Sequence, residues 1–252
     1  MSPLHILALD TTSRRGSVAI ARDGFLLHQH SGDPAATHGH RLPGDLMRAL
    51  EHAGIGPGDL NLLAVASGPG SFTGLRVGVA AMQGLAVARG LRIVPVPTLE
   101  ALARAAAAGG ADPAFHAGRV AAWIDGQRGE VFAAMFEVGV PPKELPPEGG
   151  SHVRTIHAAV AGSPASVLDG WDLPAGDSSI LFAGDGATRY RDVIEARVGA
   201  GARVADAPLL AATLARIAFE EPHRGVAPHG VVPVYVRRPD AELARERRQG
   251  RG

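Results

Sequence analysis

Short apolar runs broken by turn residues open this chain, and they set three strands before the first helix. Ile6–Leu9 is an apolar run that stops at Asp10; Ser17–Ala21 and Phe25–His30 follow, separated by Arg14-Arg15-Gly16 and by Asp23-Gly24. Asp-Gly between two strand-like runs favours a tight hairpin because both positions tolerate positive φ. An antiparallel meander is therefore expected. From Arg41 to Ile55 the period lengthens, with Leu42, Leu46, Met47, Leu50 and Ile55 at helical spacing despite Pro43 and Gly44 near the start. Leu62–Ala66 is then a strand, Phe72–Ala88 a helix and Arg92–Val96 a strand, and Thr98 can cap a helix through about Ala108. Strands that alternate with helices pair in parallel through crossovers, which makes the fold class α/β with mixed sheets.

The order then partly repeats. Ala107–Pro113 is a composition break, so a first lobe over 1–108 and a second over 109–236 are expected, with the helix near 208–221 packing back on the first. In the second lobe Val120–Ile124 and Glu130–Glu137 form a hairpin around Asp125–Gly129, again with an Asp ending its first strand. Gly139–Gly150, with four prolines, reads as a loop. Ile180–Ala183 follows as a strand, Ala187–Val198 and Leu209–Phe219 as helices, and Val231–Val236 as a last strand. Residues 237–252 read as a charged, flexible tail.

Composition narrows the chemistry. At 252 residues and 46% hydrophobic content the chain can bury a sizeable core, while 25 basic against 25 acidic side chains give no overall field towards nucleic acid or an anionic membrane. Lys143 is the only lysine, and no P-loop precedes it. With no cysteine there is no disulfide, thiol nucleophile or Cys-ligated zinc. Nothing reads as a signal peptide or as a membrane span, so a cytoplasmic protein without membrane contact is expected.

Two motifs carry candidate phosphate chemistry. Asp10, Thr11 and Thr12 stand at the first hairpin tip, where hydroxyls and backbone N–H groups can meet phosphate and an Asp can order magnesium; the same residues also suit turns that satisfy their own backbone. The run Gly68-Pro69-Gly70-Ser71-Phe72-Thr73-Gly74-Leu75-Arg76-Val77-Gly78 joins a strand to a helix, so Gly68, Gly70 and Ser71 can hold an anion or simply make a close-packed turn capped by Ser71 or Thr73. It is neither a Walker A loop nor a nucleophile elbow. Asp10, Asp125 and Asp185 each end a strand, which points to turn chemistry ahead of a carboxylate cluster. His38-x-His40 has no carboxylate partner in the pattern and is not read as a metal site.

The opening Leu7–Thr12, the Gly68–Arg76 run, Thr98–Leu102, Asp125 with Arg128–Phe132, and Pro233–Arg237 resemble the TsaB (YeaZ) family in content and order over nearly the whole chain. Gly126-Gln127 departs from the family's usual Ala-Arg. The resemblance implies a two-lobed actin-like (ASKHA, ribonuclease-H-like) fold. It also implies a non-catalytic subunit of the bacterial tRNA threonylcarbamoyladenosine complex, with a TsaD-type catalytic subunit and a TsaE-type P-loop ATPase as partners, a homodimer when alone, and tRNA met only through the complex. Where the catalytic relative carries His-x-x-x-His, the matching positions are Thr98 and Leu102, so no catalytic residue, metal or required cofactor is expected, and at most weak ATP or ADP binding. The apolar content of the first two helices, with the resemblance, makes Leu42, Leu46, Leu75, Val79 and Met82 the candidate partner interface. The competing reading is an active actin-like ATPase or small-molecule kinase.

Overall fold

The computed structural model describes residues 3–109, 118–139, 153–174, 176–177 and 179–237. β1 (His5–Asp10), β2 (Ser17–Arg22) and β3 (Phe25–Ser31) form the expected antiparallel meander. On the other side of β1, β4 (Leu62–Gly68) and β5 (Ile93–Pro97) add in parallel, giving the order β3-β2-β1-β4-β5. The crossovers are α1 (His38–His52) and α2 (Phe72–Arg89).

A second sheet repeats the plan. β6 (Gly118–Gln127), β7 (Glu130–Val138) and β8 (Val153–Gly162) are antiparallel, and β9 (Ile180–Ala183) and β10 (Arg203–Ala205) add to β6 in parallel. The order β10-β9-β6-β7-β8 is that of the first sheet read in reverse, with β6 in the place of β1.

Between the sheets lie α3 (Thr98–Gly109) and α7 (Ala211–Glu220). Each reaches across: α3, which follows the first sheet, packs on β6 and β7, while α7, which follows the second, packs on β1, β2 and β4. Strand periodicity explains why the central runs are apolar throughout. Ile6 and Ala8 point into this middle layer and Leu7 and Leu9 point out beneath α1 and α2, just as Val120 and Ala122 point in and Ala121 and Trp123 point out. A strand covered on both faces has no polar side. The outer face of the second sheet is covered by α4 (Pro164–Gly170), α5 (Asp185–Arg189) and α6 (Arg191–Val198) around Trp123, Trp171 and Phe182. Buried Arg104 on α3 donates to Glu100 at 2.8 Å and to Glu221, just past α7, at 2.6 Å; Arg224 also donates to both carboxylates. This pairing ties the two middle helices together through charges that satisfy one another.

Several elements differ from the sequence reading. α1 starts three residues earlier than Arg41 and ends three before Ile55. The helix expected over Ala187–Val198 is two, broken at Tyr190. Val231–Val236 is no strand: the segment runs alone over the end of β4, where the Val234 N–H donates to the Ser67 carbonyl at 2.7 Å. β8, α4 and β10 were not anticipated. Most of the Ala107–Pro113 boundary, the Gly139–Gly150 loop beyond its first residue, and the tail after Arg237 lie outside the described residues.

Candidate functional site: the cleft at the two hairpin tips

The tips that follow β1 and β6 open on one cleft of about 1140 Å³, shared by both sheets. At the first tip the Asp10 carboxylate accepts from the Thr12 N–H at 2.8 Å and from the Thr12 hydroxyl at 2.6 Å. The second tip uses the same device, Asp125 accepting from the Gln127 N–H at 3.0 Å, with Arg189 also donating to it at 3.0 Å. Asp185, at the start of α5, accepts from the Asp125 N–H at 3.0 Å. The three acids thus line one cleft; Asp10 and Asp125 each accept from the backbone two residues on, as turn chemistry requires, whereas Asp185 reaches across to the other acid's strand. Burial pushes the Asp10 carboxyl above the ordinary carboxylate range, against the pull of its Thr12 hydrogen bonds, and Asp185 is raised by burial as well. Among the described residues no group of three or more His, Asp or Glu is placed to hold a metal ion.

The glycine-rich run is packed directly on the first tip. The Thr11 hydroxyl donates to the Gly74 carbonyl at 2.8 Å, and the Ser71 N–H donates to the Thr12 carbonyl at 2.8 Å. A β-carbon at Gly74 would overlap the Thr11 carbonyl, one at Gly78 the Thr11 hydroxyl, and one at Gly70 the Thr12 side chain. Ser71 caps α2 by accepting from the Gly74 N–H at 3.2 Å. Gly68 takes φ +113°, and its N–H donates to the Thr98 hydroxyl at 3.1 Å. Gly184, ending β9 as Gly68 ends β4, takes φ +117°. These glycines let strand, loop and helix approach closely. Of the phosphate candidates, Asp10, Thr12, Gly70 and Ser71 border the cleft, whereas Thr11 and Gly68 turn into the packing and are withdrawn from it.

Thr98 and Leu102 are both core residues. The interface candidates also need correction. Leu42, Leu75, Val79 and Met82 are buried within the chain itself, under α1 and α2, so they have no surface to offer; only Leu46 is partly exposed. Besides Phe72, Arg76 and Arg89 towards its ends, α2 exposes Thr73, Ala80, Gly84, Val87 and Ala88, and α1 exposes Met47.

Sequence reasoning missed Arg41. Its guanidinium, paired with buried Asp45 one turn on, donates to the Arg15 carbonyl at 2.6 Å and to His38 Nδ1 at 2.8 Å, while His38 Nε2 lies 2.9 Å from the Ser13 carbonyl. A guanidinium can only donate and a carbonyl only accept, so His38 is held as the neutral Nε2–H tautomer. The i, i+4 spacing of Arg41 and Asp45 was the available signal. Burial lowers the affinity of His38 for a proton, as it does for His28 and His30, whose rings hydrogen-bond at 3.1 Å beside His52. Each titrates in the folded chain below the ordinary value of about 6.5. The unfolded chain therefore binds more protons as pH falls. The contribution of these histidines to stability is expected to be level above about pH 7 and to drop as pH falls through 6.5 and below, while the raised Asp10 and Asp185 act in the opposite direction at lower pH. Urea midpoints from pH 8 to 5 check this, and His38→Gln, which cannot titrate, should reduce the drop, with His28 and His30 left to supply the rest.

Three comparisons bear on what this arrangement is. A family model described as TsaD, tRNA N6-adenosine threonylcarbamoyltransferase, matches residues 33–143. The Escherichia coli (strain K12) protein named tRNA threonylcarbamoyladenosine biosynthesis protein TsaB is 37% identical over 134 residues, 53% of this chain and 55% of that one. Its Bacillus subtilis (strain 168) namesake is 26% identical over 242 residues, covering 95% and 96% of the two chains. The structure of YeaZ from Pseudomonas aeruginosa superposes with a TM-score of 0.71 at 29% identity, over 92% of this chain and 99% of that one. Curated relatives, solved structures and the family model together support a TsaB (YeaZ) family protein. Its match spans about half the length of the Escherichia coli and Haemophilus influenzae TsaB relatives and nearly all of the Bacillus subtilis one. As the resemblance implied, the fold is α/β, two mixed sheets of one topology flanked by helices, and it is shared with YeaZ. Among the described residues no helix of this chain is long and apolar enough to cross a membrane.

Proposed function

We propose that this chain is a non-catalytic subunit for tRNA threonylcarbamoyladenosine formation, docking through α1 and α2 on a TsaD-type catalytic subunit. The observation that carries the reading is the character of α2. Over its 18 residues only Arg76 and Arg89 are charged, yet one side of the helix, including Ala80, Gly84 and Val87, faces solvent. A helix apolar all round belongs in an interior, so a second surface should cover it. Small side chains there allow two helices to approach closely.

The names of the relatives supply the pathway. The lack of chemistry is supported by Thr98, whose hydroxyl is committed to the Gly68 N–H, and by Leu102 in the core. On this reading no cofactor is required, ATP or ADP binds weakly at most, the same face forms a homodimer when the chain is alone, and a TsaE-type ATPase joins the pair. The protein works in the cytoplasm.

Co-expression with a TsaD-type subunit and tRNA modification by the mixture test the proposal. The isolated chain is expected to show neither ATP turnover nor modified tRNA, and the mixture to co-elute and modify. Turnover by the chain alone that Asp10→Ala abolishes would establish the ATPase reading instead.

A further inference from the structure

One wall of the cleft carries chemistry that the scaffold role leaves unused. The Phe72 and Tyr235 rings stand 5.2 Å apart at 40°, and the Arg76 guanidinium lies 3.9 Å over Phe72 while its Nε donates to the Tyr235 hydroxyl at 3.2 Å. Both rings keep more than a third of their surface exposed. Neither is loosely placed: Phe72 opens α2 directly after its Ser71 cap, and Tyr235 follows Val234, whose N–H is bonded to the end of β4. Exposed Arg14 and Arg15, at the first hairpin tip, line the same cleft. Arg14, Arg15 and Arg76 have no carboxylate partner among the described residues. On this wall the Asp10 carboxylate is taken up by Thr12, and the other acids of the cleft, Asp125, Asp185 and Asp206, stand on the second sheet's side.

A half-exposed stack of two rings and a guanidinium, flanked by two unpaired guanidiniums, suits a ligand that alternates planar faces with negative charge. We propose that this wall binds single-stranded RNA, one base stacking on the Phe72–Tyr235–Arg76 platform and the neighbouring phosphates meeting Arg14 and Arg15. The neutral total charge is no obstacle, because the contact is local and every base offers a stacking face. A protein partner also uses Tyr and Arg, but three cations with no carboxylate partner among the described residues suit a polyanion better. The inference rests on the proposed role in tRNA modification and adds that this chain itself touches the RNA.

The test is fluorescence anisotropy of the full chain with a short labelled single-stranded RNA across a salt series, with ATP as competitor. Phe72→Ala should weaken binding roughly ten-fold. Arg14→Ser with Arg15→Ser, both on the surface, should lower the salt slope by about 0.7 for each phosphate the pair no longer neutralises. No binding by the parent chain, or variants that bind as well as the parent, would overturn the proposal. So would complete displacement by ATP at equal concentration, which would mark a mononucleotide site, or variants that keep RNA affinity but no longer bind the TsaD-type subunit, which would mark a protein contact. The RNA titrations use the chain alone, so they can fail while the complex still forms, and the complex can fail while they succeed.

Discussion

Gly74→Ala is expected to destabilise the protein by about 3 kcal/mol, as overpacking against an immovable neighbour does, a large share of the total stability of a folded chain. Helix propensity alone points the other way, since Gly to Ala inside a helix gains roughly 1 kcal/mol. The decision lies in what the new methyl meets. It would overlap the carbonyl oxygen of Thr11, and a backbone atom cannot rotate aside as a side chain can. Thr11 is moreover fixed from several directions, by its hydroxyl on the Gly74 carbonyl and by the Asp10–Thr12 turn beside it. The matched control is Gly84→Ala on the same helix, where a β-carbon meets nothing within 4 Å and the propensity gain should appear undiminished. Urea denaturation of the two variants should therefore move the midpoint in opposite directions. Equal midpoints would mean that the strand end and α2 are not in rigid contact.

That contrast also marks how far sequence could go. The meander, the helical crossovers and the parallel additions were legible because each central strand is covered on both faces and so reads as an unbroken apolar run, as Leu62–Ala66 does. β8 was not, because it is an edge strand with most of its side chains in water, and Arg154, Thr155 and His157 break its first half. Val231–Val236 has the right residues for a strand but crosses the end of β4 singly; whether a run finds a ladder is decided by tertiary placement, which local pattern does not contain. At the site, the two motifs were legible as types but not in their relation. Only the fold shows that the glycines of one exist to fit the threonines of the other, turning Thr11 inward and leaving Thr12 at the cleft.

The interface reading failed for a related reason. Large apolar residues on α1 and α2 were counted as surplus, but the outer face of the first sheet, with Leu7, Leu9, Ile20 and Leu63, needs Leu42, Val79 and Met82 to cover it. Much of the unburied remainder is Ala, Gly and Thr, with Val87 and Met47 among them, and a search for large apolar side chains passes over the small ones. The docking proposal therefore moves to those small residues, and with it the test. Leu46→Glu would confound folding with binding, because Leu46 packs against the core.

Gly84→Glu separates the two. In the free chain the glutamate would stand in solvent, with no neighbour to displace, and glutamate is the better helix former, so the melting temperature should hold or rise. Against a TsaD-type subunit the same side chain would be driven into a close helix contact and lose its water without gaining a partner. That costs on the order of 2 to 4 kcal/mol at a central position, or roughly 30- to 1000-fold in affinity. Thermal melting of the variant, followed by titration calorimetry with the TsaD-type subunit, reads both quantities on one sample. Retained fold with weakened affinity places the interface on the exposed side of α2. Undiminished affinity would remove α2 as the docking helix, and the all-round apolar character of the helix would then need another occupant.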